Sequence, residues 1–372
     1  MLKRGMKKRI EREKKVRKAR ADSYRVFCTG VVLAGVLFLG GCGMGNGAGN
    51  KTVQGNSALE ERDYQQAQQF FQEAVQEGEQ KVVAYRGLGM AYMGLAKYEE
   101  AEASFRTALE YTDNRMTENV QDIRLYLATV QYRAEKYEDT ITTCDDILRE
   151  ESKGNADAYF LRGASYLYEG NQEEAKKDFD AAVKLSPEDY DLYLNIYECY
   201  RSRSLSGLGA AYLQTALNIP GGDLQHYYNR GRIHYYLENY EEAQSLLIGP
   251  VEEKYQPAMN LIGKVYLKLG DYEHARAVYQ QIQSEFGADA DSFNGLALCA
   301  IESGDYDAAL SYIAQGLALE GTSGKQELYF NEIIVYEKKL DFGTAKAKAQ
   351  EYVQKYPGDE AGQKEWMFLS TR

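Results

Sequence analysis

Apolar residues along most of this chain recur three or four positions apart, the spacing of one face of an α-helix. Leu88, Gly89 and Tyr92, for example, fall on a single face. Short polar turns such as Gly170-Asn171 and Gly270-Asp271 separate the segments, and in each turn Gly can end one helix while Asn or Asp caps the next. The pattern therefore predicts an all-α chain of many short helices.

The helices follow a repeated two-helix pattern. Tyr85-x2-Leu88-Gly89-x2-Tyr92 leads into Ala101-x3-Phe105-x2-Ala108, and a second copy starts at Tyr159. One small residue of the second helix recurs nine times, in steps of 32 to 39 residues, at Ala67, Ala101, Thr140, Ala175, Gly209, Ala243, Ala275, Ala309 and Ala345. An aromatic residue precedes most of these by three positions, at Tyr64, Tyr98, Tyr137, Tyr240, Tyr272, Tyr306 and Phe342.

These residue types and spacings resemble the tetratricopeptide repeat. The resemblance implies a right-handed α-solenoid of about nine helix-turn-helix repeats over residues 53–357, closed by a capping helix over 358–372. It also implies that the first helices of the repeats form a groove that binds a peptide or a partner protein. A single repeat cannot bury its own apolar face, so stability is expected to come from neighbouring repeats.

The N-terminus has the pattern of an export signal. A basic segment over residues 3–25 precedes the apolar run Val26–Leu39, which ends at Leu39-Gly40-Gly41-Cys42. This ending resembles the lipobox of bacterial lipoprotein signal peptides, in which cleavage occurs before a cysteine that carries a diacylglyceryl group. We therefore expect a signal peptide over 1–41, lipidation of Cys42 and a Gly-rich tether over 42–52. The alternative is an uncleaved membrane helix over Val26–Gly45, and translation could start at Met1 or Met6.

Charge is divided unevenly along the chain. Residues 1–25 carry a net charge of +9 and the whole chain carries −12, which leaves −21 for the remainder. An acidic body repels phosphate backbones, so a nucleic-acid partner is not expected. The predicted location is extracytoplasmic, with the protein lipid-anchored to the cell membrane.

Chemistry-bearing residues are sparse, and no catalytic, metal or cofactor site is predicted. His226, His234 and His274 show no metal-ligand spacing, and no GxSxG, phosphate-loop or Ser-x-x-Lys motif occurs. Cys144, Cys199 and Cys299 occupy apolar positions of the repeat, which favours buried, inert thiols. The sequence thus favours a non-catalytic scaffold. The alternatives are a Gram-negative lipoprotein that assists outer-membrane or pilus assembly, and a cell-envelope hydrolase with an unrecognised site.

A partner-binding surface is predicted on repeats five to seven. In the sixth repeat, this surface is offset from a predicted packing face formed by Tyr227, Gly231 and His234. Its predicted residues are Tyr228, Arg232, Tyr235 and Tyr236, then Asn260, Lys264 and Lys268 of the next repeat, and Arg201 of the previous one. Cations on an acidic body suggest an acidic segment or a C-terminus as partner. The alternative is a solvated stripe whose charges are ion-paired, for example with Glu198.

Three places break the repeat. Extra residues lie around Asp113–Glu118, and the fifth repeat has Ser202–Gly209 where an aromatic turn is expected. Gly249-Pro250 falls inside a second helix, which we expect to end early because proline lacks the N–H of the helix ladder.

Overall fold

The computed structural model describes residues 50–112, 117–151, 153–320, 324–356 and 359–371. Cys42, the predicted signal peptide and most of the predicted tether lie outside these residues. Over the described ranges the chain forms 19 α-helices and no strand. The predicted all-α fold of nine helix pairs is confirmed. No helix in the described part of the chain combines the length and the apolar character that crossing a membrane requires.

The chain divides into two compact units between Ile219 and Pro220. The first unit contains α1 (Lys51–Glu60), α2 (Tyr64–Glu77), α3 (Lys81–Gly94), α4 (Tyr98–Glu110), α5 (Thr117–Arg133), α6 (Tyr137–Glu150), α7 (Ala156–Tyr168), α8 (Gln172–Leu185), α9 (Tyr190–Ser202) and α10 (Ser206–Ala216). The second unit contains α11 (Leu224–Tyr236), α12 (Tyr240–Glu252), α13 (Gln256–Leu269), α14 (Tyr272–Phe286), α15 (Ala290–Glu302), α16 (Tyr306–Ala318), α17 (Lys325–Lys338), α18 (Phe342–Lys355) and α19 (Glu360–Ser370). Odd-numbered helices up to α17 are the first helices of their repeats.

Helix boundaries follow the repeated residues closely. Each aromatic residue of the column identified in the sequence is the first residue of a second helix, as Tyr98 is of α4. Aspartates cap several of these helices: Asp271 accepts from the His274 N–H, and Asp305 accepts from the Ala308 N–H. Asn171 makes no such side-chain bond. Four second helices without a side-chain cap instead carry two acidic residues in the first turn, which complements the positive end of the helix dipole.

Close approach of the paired helices explains the small residues. All nine small residues of the second-helix column are buried. In the first helix, Gly163 faces Phe179, and a Cβ added at Gly163 would lie 3.0 Å from that ring. Gly89 faces Phe105 in the same way. The large side chain of the second helix therefore fills space that the small residue of the first helix leaves open.

Two boundaries differ from the sequence prediction. The first helix begins at Lys51, with Asn50 as its cap, two residues before the predicted start of the array. The helix expected to end early at Gly249-Pro250 continues to Glu252, so that prediction was wrong. Pro250 lies in the last turn and is buried, so its ring packs inward and the missing N–H removes only one bond of the ladder.

Candidate partner-binding surface

Some tyrosines of α11 pack against the core and others are exposed, and this division differs from the sequence prediction. Tyr228 is half-buried against the second unit's core, with its ring edge-on to Tyr255 at 5.4 Å between centroids. Tyr235 packs against the same core and lies 5.7 Å from Tyr240, and burial raises the pKa of its hydroxyl. Tyr227, assigned to the packing face from the sequence, is 41% exposed. The assignment of Tyr227 to that face was therefore wrong, because Tyr228 and Tyr235 take the packing positions.

Two residues of the predicted set on α11 remain half-exposed. The Arg232 guanidinium lies over the Tyr228 ring at 5.5 Å, and its Nη1 donates to Asn229 Oδ1 at 3.2 Å. Such cation–π contact orients an arginine while leaving its charge in place. The Tyr236 ring is edge-on to Tyr235 at 5.9 Å. Arg232 and Tyr236 are thus held by neighbours on their own helix.

The cationic part of the surface is on α13. Asn260 is half-buried, whereas Lys264 and Lys268 are exposed one turn apart. Neither lysine has an ion-pair partner among the residues that the structure describes. Three other lysines of this unit are ion-paired, as Lys254 is with Glu285 at 2.7 Å and Lys339 with Asp307 at 2.6 Å, whereas Lys346 and Lys355 donate to uncharged oxygens. The predicted stripe therefore contains two lysine charges that no described residue neutralises by direct contact.

Arg201 differs from the other seven predicted residues. It lies in α9 of the first unit, whereas the others lie in the second unit. Its Nη2 donates to Glu198 Oε2 at 2.6 Å, and its Nε donates to the same oxygen at 2.9 Å. The ion-paired alternative, named with Glu198 from the sequence, is what the structure shows for Arg201.

Carboxylates on the neighbouring first helices were missed at the sequence level. Asp291 and Glu302 of α15 and Glu327 of α17 are exposed. Desolvation and the charges of Asp289 and Glu327 raise the pKa of Asp291, while Lys264 lowers it. Lys264 and Asp291 are therefore within electrostatic reach of each other. Aligning the first helices on their buried small residues would have put these acids in view, but acidic residues are so common in this chain that nothing singled them out.

Histidines and cysteines form no reactive cluster. His226 is buried, His274 is exposed with Nδ1 2.7 Å from Asp271 Oδ2, and burial lowers the pKa of His234. The thiols of Cys144, Cys199 and Cys299 are free and buried. Burial raises the pKa of Cys299 to about 11, which keeps that thiol protonated and unreactive. No group of three or more side chains suited to holding a metal ion occurs within the described ranges.

Comparisons with known proteins identify the repeat. Family models described as tetratricopeptide repeat match residues 58–121, 156–189 and 260–323. A curated relative is Superkiller complex protein 3 of Mus musculus, 27% identical over 194 residues, or 51% of this chain. The chain spans only 12% of the length of that relative.

The chain is also similar, over part of its length, to several solved structures. A tetratricopeptide repeat protein from Parabacteroides merdae has a TM-score of 0.43 and 14% identity, and the match covers 68% of this chain and 99% of that one. PilW, described as a widely conserved type IV pilus biogenesis factor, has a TM-score of 0.38 and 21% identity over 56% of this chain and 97% of its own. PilF of Pseudomonas aeruginosa has a TM-score of 0.36 and 19% identity over 58% of this chain and 96% of its own.

Proposed function

Because the chain contains tetratricopeptide repeats, we propose that it is a non-catalytic scaffold. It binds a peptide or partner protein on the first helices of its second unit. The observation that carries this proposal is the pair of exposed lysines on α13, Lys264 and Lys268, neither of which has an ion-pair partner within the described residues. Arg232 and Tyr236 of α11 and Asn260 of α13 extend the surface. Tetratricopeptide repeats generally mediate protein–protein interaction, and the matched families are not catalytic.

The chemistry of the surface selects an acidic partner. The lysines lie on a body whose net charge is strongly negative, so they form a local cationic area in a repulsive field. Carboxylates of a partner would be drawn to that area, and the Tyr236 ring would add contact area with few rotatable bonds. An acidic segment or a C-terminal carboxylate is the proposed ligand.

The test is charge reversal at one lysine. A partner is first captured by crosslinking pull-down from native membranes, and its affinity is then measured for wild type and Lys268→Glu. We expect a loss of about 2 kcal/mol or more, which high salt reduces. Lys184→Glu is the matched control, because Lys184 is also an exposed lysine in the last turn of a helix but lies on the second helix α8. Equal affinities of wild type and Lys268→Glu would show that the partner does not bind at this surface.

Membrane attachment is part of the same proposal. Leu39-Gly40-Gly41-Cys42 supports cleavage before Cys42 and attachment of a diacylglyceryl group, whose two chains hold a membrane stably. The protein would then act outside the cytoplasm. Intact mass of the membrane-bound protein should give lipidated Cys42 as the first residue, and Cys42→Ala should block cleavage. A mature chain that begins before residue 42 would contradict the lipid anchor.

A further inference from the structure

The charged side chains of α13 are cationic and those of α15 are acidic, whereas α17 carries both signs. Lys264 and Lys268 lie on α13, whereas Asp291, Glu302 and Glu327 lie on α15 and α17. All five are exposed, and within the described residues none of them has an ion-pair partner. Both signs are therefore present on this surface without a direct ion pair, so each can pair with an opposite charge of a bound segment.

The three helices lie side by side, which makes these charges one surface. Contacts join α13 to α15 and α15 to α17. Asn331 of α17 donates through Nδ2 to Asn294 Oδ1 of α15 at 2.6 Å, which fixes that pair of helices at close range. The charge of Lys264 lowers the pKa of Asp291 and the charge of Glu327 raises it, so both residues lie within electrostatic reach of Asp291. Lys264, Asp291 and Glu327 therefore follow one another across three adjacent helices.

We infer that this surface holds one extended peptide segment carrying acidic side chains at one end and basic side chains at the other. The inference rests on the proposed function and adds a basic end to the acidic ligand proposed there. The acidic end lies over Lys264 and Lys268, and the basic end lies over Asp291 and Glu327. A basic side chain there offsets the repulsion between Asp291, Asp289 and Glu327, which no cation of the described chain offsets by direct contact.

Helix spacing sets an upper bound on the distance between the two charged ends. Packed helices lie about 8–10 Å apart, so Asp291 of α15 is one spacing from α13 and Glu327 of α17 is two spacings away, roughly 16–20 Å. An extended segment advances about 3.3 Å per residue and covers that distance in about five or six residues. The ligand segment therefore has its acidic and basic clusters at most about that many residues apart.

Synthetic peptides test the inference on the full chain in detergent. The first peptide joins an Asp/Glu block to a Lys/Arg block through a five-residue Gly/Ser spacer. The second keeps the acidic block and replaces the basic block by Gly/Ser. We expect the two-block peptide to bind about three- to tenfold more tightly, the gain of one or two exposed ion pairs.

Matched variants assign that gain to residues. Asp291→Asn/Glu327→Gln should reduce the two-block peptide to the affinity of the acidic peptide and leave the acidic peptide unchanged or slightly tighter. Glu252→Gln/Glu253→Gln makes the same change of net charge on the end of α12, and it should leave the ratio of the two affinities at the wild-type value. Hydrogen exchange of α15 and α17 checks that the variants are folded.

The outcomes separate the inference from the proposed function. If both peptides bind wild type equally, the two-ended ligand is wrong and the cationic surface stands. If the α12 variant lowers the ratio as much as the α15/α17 variant, net charge explains the gain and the inference also falls. If neither peptide binds, the proposed surface and the inference fall together.

Discussion

First helices of the two units use charge in opposite ways. In the first unit, arginines bridge helices: Arg86 Nη2 lies 2.6 Å from Asp122 Oδ2, and Arg162 bonds both oxygens of Asp178 at 2.7 and 2.8 Å. In the second unit, the charged side chains of Lys264 and Lys268 are exposed to solvent. A planar guanidinium matches two carboxylate oxygens at once, whereas a lysine ammonium is compact and well hydrated. A cation on a first helix can therefore stabilise the fold or remain free for a partner.

Breaking the buried arginine bridge should have the largest effect. Arg162→Ala removes the partner of Asp178, whose side chain is only 7% exposed, and of Asp145. We expect a loss of about 3–5 kcal/mol in the free energy of unfolding, because a buried charge is left uncompensated. Urea unfolding measures it. Lys264→Ala, at an exposed site of the second unit, should change stability by less than about 0.5 kcal/mol. Equal losses for both would erase the contrast between the units.

Overpacking a helix contact should cost less. Gly163→Leu places a side chain where Phe179 and the Ala175 carbonyl lie within about 3 Å, and we expect a loss of about 1–3 kcal/mol. Because repeats stabilise one another, hydrogen exchange should show reduced protection in repeats three to five. Gly207→Ala is the control, since nothing lies within 4 Å of its added Cβ and alanine is the better helix former. Unchanged protection in Gly163→Leu would mean that the helix register is wrong.

Relieving a strained turn should give a gain of about 1 kcal/mol. Leu340 has φ 60° and is 74% exposed in the turn between α17 and α18, whereas Gly270 and Gly304 fill the corresponding turns of the second unit with φ 74° and 77°. A left-handed conformation costs an ordinary L-residue about 1–2 kcal/mol, and glycine avoids that cost. Leu340→Gly should therefore raise the urea midpoint. A lower midpoint would show that the leucine contributes packing that outweighs the strain.

Acidification should act in opposite directions through two buried groups, one in each unit. In the first unit, burial raises the pKa of Asp189 from 3.8 to about 7, helped by Asp191 and Asp157. A raised pKa favours protonation in the folded state, so Asp189 contributes a gain in stability as the pH falls from about 7 toward 3.8. In the second unit, burial lowers the pKa of His234 from 6.5, so the contribution of His234 to stability is lost as the pH falls below 6.5.

Hydrogen exchange at pH 7 and pH 5.5, corrected for intrinsic rates, resolves these two changes. Asp189→Asn keeps a helix cap and should remove the gain of the first unit. His234→Phe should remove the loss of the second unit. Histidine is confined to the second unit in this sequence, so a shared loss in both units would contradict the assignment to His234.

Sequence alone determined the repeat and its helices. The aromatic column placed the first residue of seven second helices, and the buried small residues followed from spacing, because a helix repeats every 3.6 residues and its contacts are encoded locally. The same local logic predicted the stripe of Lys264 and Lys268, which are exposed in the structure and whose role in binding stays a prediction. The sequence prediction was wrong for Tyr227 and Tyr228, where one tyrosine packs and its neighbour is exposed. Two adjacent tyrosines cannot be told apart by sequence, because the packing of a neighbouring helix decides which of them is covered.

Tertiary structure decided which charges are free. Arg162 and Asp178 lie 16 residues apart, and Arg86 and Asp122 lie 36 apart, so their pairing depends on how helices of different segments pack. Pro250 continues a helix because buried contacts outweigh one lost hydrogen bond. Ion pairing requires atoms within about 4 Å. The packing of two helices against each other sets that distance. The residue periodicity along a single helix therefore does not predict it.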